Sequence, residues 1–80
     1  MTGNVEKGTI VRALAGREKD RFMAVIGCEE GYVLLCDGDE RRLDAPKRKN
    51  VKHIAVTNTV IDLSDITDRK LRQILAGFNA

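Results

Sequence analysis

The residues of this chain best suited to chemistry are its cations, and they fall into two groups. Arg17, Lys19 and Arg21 alternate with acids in a short run opened by Gly16. Arg41, Arg42, Lys47, Arg48, Lys49 and Lys52 form a longer block broken by one acid, Asp44. Residues 41–52 therefore carry +5 in a chain of net charge +2, and the remaining 68 residues carry −3. A basic block on an otherwise acidic chain is the footprint of a polyanion-binding face. Lys and Arg contacts to phosphate set affinity and register but read no sequence, and arginine adds planar, bidentate contacts and stacking. Single-strand binders also need aromatic platforms for bases. The three aromatic residues here, Phe22, Tyr32 and Phe78, read as core. The expectation is binding guided by the shape and backbone of a structured RNA; charge alone does not separate RNA from DNA.

Other chemistries find less support. The single histidine, His53, follows Lys52, and a general base needs a positioned acid and a pocket. A Ser/His/Asp set with recognisable spacing and a glycine-rich loop opening a helix are both absent from the sequence. The acidic pairs Glu29–Glu30 and Asp37 with Asp39 fall in turn segments. Neither catalysis nor a small-molecule substrate is expected. Cys28 and Cys36 are too few for the disulfide framework of a secreted miniature fold. With one histidine, a four-ligand zinc site would need an unusual set of carboxylates. Reduced thiols packing as small apolar side chains are expected, with no metal and no cofactor. No apolar run approaches the roughly 20 residues of a membrane helix. Residues 1–7 lack the charged-then-apolar layout of a signal peptide, so the expectation is a cytoplasmic protein with no membrane contact.

Eighty residues make one small domain, with 42% apolar residues that are mostly aliphatic. Residues 1–7 are polar apart from Val5 and read as loose. Strands are predicted over about 9–14 and 21–27, joined through Gly16–Arg21, because runs with β-branched residues bounded by glycine are strand signals. Glu29-Glu30-Gly31 turns into Tyr32–Cys36, a short apolar strand with both faces covered. Asp37-Gly38-Asp39 then signals a hairpin, and Glu40–Leu43 reads as a short, charged edge strand ended by Pro46. Lys47–Asn50 leads into a last strand over 51–56, with Lys52, Ile54 and Val56 on one face and Val51, His53 and Ala55 on the other. Five short strands in hairpin order suit a small curled barrel. Near the carboxyl end, Leu71, Ile74, Leu75 and Phe78 line one stripe of a short helix. Thr67 is its expected N-cap, Ile66 and Leu71 its hydrophobic staple, and Gly77 its stop. The stripe is expected to cover an open edge or end of the barrel.

Gly8, Val11, Ala13, Leu14, Gly16 and Lys19 stand where the KOW motif of ribosomal proteins and transcription elongation factors has its glycine, alternating apolar residues and Gly-x-x-Lys-Gly turn. Asp20 replaces the motif's second glycine, and Asp tolerates left-handed backbone angles better than most residues. Together with Tyr32–Gly38 and Pro46–Ile54, this set resembles the small bacterial KOW-domain RNA-binding proteins, which are similar to the amino-terminal domain of certain archaeal and eukaryotic large-subunit ribosomal proteins. The likeness spans residues 5–57; the helix, within residues 64–78, lies outside it. It implies a five-stranded SH3-like β-barrel that binds RNA, ribosomal RNA in particular, through the first hairpin loop and nearby basic residues. By match, Arg17, Lys19 and the segment Lys47–His53 take that role; Arg21, Arg41 and Arg42 join the candidate site as neighbouring cations. Ribosome association, with ribosomal proteins as neighbours, follows from the same likeness. The alternative is a protein-interaction adaptor in a transcription or translation complex, using the basic face and the helix stripe.

Overall fold

The computed structural model describes residues 5–79. Strands β1 (Thr9–Ala13), β2 (Phe22–Glu29), β3 (Tyr32–Cys36), β4 (Lys47–Asn50) and β5 (Ile54–Val60) are followed by helix α1 (Asp68–Asn79). All strand pairs are antiparallel, in one open sheet of order β4-β3-β2-β1-β5. The fold is thus mainly β, with one carboxyl-terminal helix.

The sheet is strongly bent. Laid flat, five strands place their outer pair about 19 Å apart, four spacings of about 4.8 Å. Here a single 3-10 turn, Val51–His53, carries the chain from edge strand β4 to edge strand β5, and such a turn rises only about 2 Å per residue. The Lys49 ammonium on β4 also donates to the Ala15 carbonyl, just past β1, at 2.8 Å. Both connections require β4 to approach the β1–β5 side of the sheet at this end. Register shifts between Thr9 and Val11 and between Val25 and Gly27 provide the added local twist that such irregularities bring.

Bending encloses Val11, Met23, Val25, Val33, Leu35 and Ile54, with Val5 and Val51 packed against them. Side-chain alternation along the strands sends Ile10, Ala24 and Cys36 to the opposite face, where Leu71 and Leu75 of α1 complete a second core. The helix therefore lies over a face of the sheet, not over the edge or end its stripe was expected to cover. Thr67 caps it as expected, its hydroxyl accepting from the Lys70 amide at 3.1 Å, and the staple residues Ile66 and Leu71 share the second core. Gly77 does not stop it. The helix continues to Asn79, whose side chain accepts from the Phe22 amide at 2.8 Å and donates to the Phe22 carbonyl at 3.2 Å. Those bonds, and the Phe78 ring 5.5 Å from that of Phe22, hold the last turn to β2.

Three further expectations are corrected. Glu40–Leu43 is not a strand; the return strand is Lys47–Asn50. The Asp37 carboxylate accepts the amides of Asp39 and Arg41, both at 2.9 Å, and the Arg41 carbonyl accepts the amides of Asp37 and Gly38. The Leu43 amide goes to Asp68. With its backbone groups engaged locally, this segment folds into a compact loop. Gly38 there has φ +80°, and a Cβ on it would overlap the Asp68 carbonyl oxygen, so only glycine lets the start of α1 dock so closely. Residues 51–53 are not strand either: Asn50 accepts the Lys52 amide at 2.9 Å and caps the 3-10 turn, which shifts the last strand to 54–60. Of the amino-terminal segment read as loose, residues 1–4 lie outside the described residues. Val5 packs on the inner core, and the Glu6 carbonyl accepts the amide and hydroxyl of Thr9.

Candidate nucleic-acid interface

The β1–β2 connection is closed by backbone bonds from Asp20 N–H to the Ala13 carbonyl at 2.7 Å and from Arg21 N–H to that of Glu18 at 2.9 Å. Asp20 sits at φ +71°, the left-handed conformation expected of a residue in the glycine position. Arg17 and Lys19 project into solvent, whereas Glu18 between them is buried. Its carboxylate accepts the Arg41 guanidinium at 2.8 and 3.1 Å and faces the Lys49 ammonium at 3.5 Å. Burial alone would raise the Glu18 pKa, but the Arg41 hydrogen bonds and the charges of Arg41 and Lys49 outweigh it and leave the carboxyl below its ordinary value. One acid thus ties the tip to both parts of the basic block.

The result is a shared site. Ala15 and Gly16 of the tip and Lys47, Arg48, Lys49, Asn50 and His53 line an open groove of about 300 Å3. The Leu14 amide donates to the His53 carbonyl at 2.8 Å, tying the end of β1 to a lining residue. The sequence-predicted cations differ in their availability. Arg17, Lys19, Arg42 and Lys52 are exposed and Lys47 half-buried, and among the described residues none of these five forms an ion pair. Lys49 is buried, at 8% exposure, with its ammonium held by Ala15 and Glu18; it braces the groove from within. Arg41 is committed to Glu18. Arg21 lies 3.6 Å from the buried Asp37 carboxylate, tying the tip to the 37–46 loop. Of the predicted cations only Lys47, Arg48 and Lys49 line the groove themselves; Arg17, Lys19 and Lys52 stand close to lining residues in sequence, and Arg42 lies in the 37–46 loop.

Alternation along β4 explains the division of labour. Lys47 and Lys49 pair with Leu35 and Val33, whose side chains enter the inner core, while Arg48 pairs with Leu34 and points to the other face. There its guanidinium lies 3.8 Å from the centroid of the Tyr32 ring and donates from Nε to Glu29 at 2.8 Å. Tyr32, read as core from the sequence, is half-buried and partly roofed by arginine.

Sequence reasoning missed Glu18, and it included Asn50 only within the segment Lys47–His53, not as the cap of the 3-10 turn. Glu18 had a signal: it is an acid flanked directly by Arg17 and Lys19, in a chain whose cationic block has one acid of its own. Coulomb attraction draws such a residue into the basic segment. Asn50 before a polar stretch is a capping signal, obscured by the strand-like Val51–Val56 pattern.

Compared with known proteins, the chain matches no protein-family model and no curated protein.

Proposed function

We propose that this chain is an RNA-binding module of the KOW type, a small SH3-like barrel that grips structured RNA by its phosphates in the groove between the first hairpin tip and the Lys47–His53 segment. The observation that carries the reading is the juxtaposition of these two basic elements, separated by some 25 residues of sequence, through Glu18, Lys49 and Ala15. The curvature that brings β4 and β5 toward each other supports the barrel. Exposed or half-buried cations at or close in sequence to the groove lining support phosphate contact: Lys47 in the lining, Arg17 and Lys19 just beyond Gly16, and Lys52 beside His53. Ribosomal RNA is the partner the KOW likeness suggests.

Four phosphate contacts give a log–log salt slope near −3, from about 0.7 to 0.9 per contact. Replacing Arg17, Lys19 and Lys47 together with alanine should flatten that slope by about two to three units. None of the three holds an internal ion pair among the described residues, so the fold should persist. Salt-dependent anisotropy titrations of a labelled RNA stem measure this, and a folded variant with an unchanged slope removes the groove from the site. The adaptor alternative shares the basic face. Its other surface, the helix stripe, is buried on the sheet at Leu71 and Leu75 but leaves Ile74 exposed. Partners that survive nuclease treatment in a pull-down would favour the adaptor.

A further inference from the structure

The Arg48–Tyr32 pair has a chemistry that phosphate binding does not use. The guanidinium carbon lies over the ring, 3.8 Å from its centroid, well inside the about 6 Å range of cation–π attraction. One edge is occupied by the bond from Nε to Glu29, so the plane is held on two sides. Glu29 also shares the arginine's charge, whereas Lys47 beside it forms no ion pair among the described residues and is the freer counter-charge for phosphate. What remains is a side chain 59% exposed, on a residue that also lines the groove while its guanidinium lies on the other face of edge strand β4. Arginine planes of this kind stack on nucleobases that have left the helix.

We propose that one unpaired nucleobase of the bound RNA stacks on the outer face of the Arg48 guanidinium, which Tyr32 supports from beneath. The site rests on the groove being an RNA site, and deepens it: the preferred ligand is a stem interrupted by a bulge, with phosphates in the groove and the extruded base on the platform. Every base has a π-face, so the platform selects for an unpaired base without reading its identity.

The probes are three short RNA stems of the same sequence: fully paired, with one bulged adenosine, and with an abasic residue at the bulge. The abasic stem keeps the deformed backbone and lacks only the base. Wild-type protein should bind the bulged stem about 5- to 160-fold more tightly than the abasic one, the range for loss of one stacked base. Arg48→Lys keeps the charge and loses the plane; it should bring that ratio near one and leave the salt slope unaltered. Tyr32→Leu, with folding followed by thermal melting, should also lower the ratio. Equal affinity of wild-type protein for bulged and abasic stems, with the expected salt slope on all three, overturns the platform and leaves the groove intact. A base-dependent ratio that Arg48→Lys does not change places the base elsewhere and overturns it too. Absence of binding to any stem overturns the groove and the platform together.

Discussion

The two faces of the sheet are closed by different physics. The inner face is covered by the sheet's own curvature, and the site where its ends converge is held by ions: Glu18 between Arg41 and Lys49, with Lys49 bridging to Ala15. The outer face is covered by α1 through apolar contact and the close approach permitted by Gly38. The difference separates function from support. Ionic closure leaves exposed charge at its rim, where a polyanion can bind, and makes the shape of the groove depend on a few directional contacts. Apolar closure is non-directional, and where α1 covers the sheet it leaves little that a polar ligand could use; the Arg48–Tyr32 pair stands on this same face, but at edge strand β4. Two changes of similar energetic cost on opposite faces should therefore have different consequences for binding.

The largest effect is expected on the ionic side. Glu18→Ala leaves the Lys49 ammonium buried with only the Ala15 carbonyl, and breaking such a pair costs about 3–5 kcal/mol. An 80-residue chain has roughly 4–12 kcal/mol in total, so urea unfolding should place this variant near its limit. Under conditions where it remains folded, its RNA affinity should fall as well. Glu18→Gln sharpens the point through pH. Because the folded-state pKa of Glu18 lies below its ordinary value of 4.5, its contribution is fully present above that value. It is lost as pH falls through the lower folded value. Wild-type stability should decline over this acid window, and Glu18→Gln should decline less steeply there; equal slopes would mean that the carboxylate is not a brace.

On the outer face, Leu71→Ala should cost about 2–5 kcal/mol, the range for truncating a fully buried leucine, while the affinity of the folded protein for RNA stays the same. A second readout lies under the helix. Cys36 is buried and donates its thiol to the Arg42 carbonyl at 3.1 Å. Burial first, then the charges of Asp68, Asp37 and Asp44, push its pKa up to about 12. Alkylation of native protein at neutral pH should therefore label the exposed Cys28 and spare Cys36. Leu71→Ala should speed the second labelling event, measured by mass spectrometry. Labelling of Cys36 in the wild type as fast as of Cys28 would contradict the closure of this face.

The comparison also marks what the sequence made legible. Periodicity found β1, β2, β3 and the helix, because each is a long enough run of one repeat; Thr67, Asp20 and the Ile66–Leu71 pair were readable from local chemistry. The errors share a cause. Glu40–Leu43 and Val51–His53 look like strands by residue type, but Asp37, Asp68 and Asn50 side chains take the backbone amides a ladder would use. Competition of this kind is set by three-dimensional placement, which spacing does not reveal. The candidate site was legible as charge, since the tip and the basic block were each apparent. Its division into free cations, a brace and a stacked plane was not, because it depends on the register of β4 against β3, which turns Lys49 inward and Arg48 outward.

The smallest effect is expected at Gly77, and it tests how far the helix face is governed by packing alone. The residue lies within α1, exposed, and a Cβ there would meet nothing within 4 Å. Glycine in a helix interior costs about 0.5–1 kcal/mol relative to alanine, chiefly through the greater freedom of the unfolded chain. Gly77→Ala should therefore raise stability by about that amount, less any fraying at this last turn, and do so without altering RNA affinity or the protection of Cys36. A loss of stability would mean that Gly77 does end the helix in solution and that Asn79 does not hold the final turn against Phe22. The helix stripe would then close a shorter length of the outer face than Leu71, Leu75 and Phe78 define.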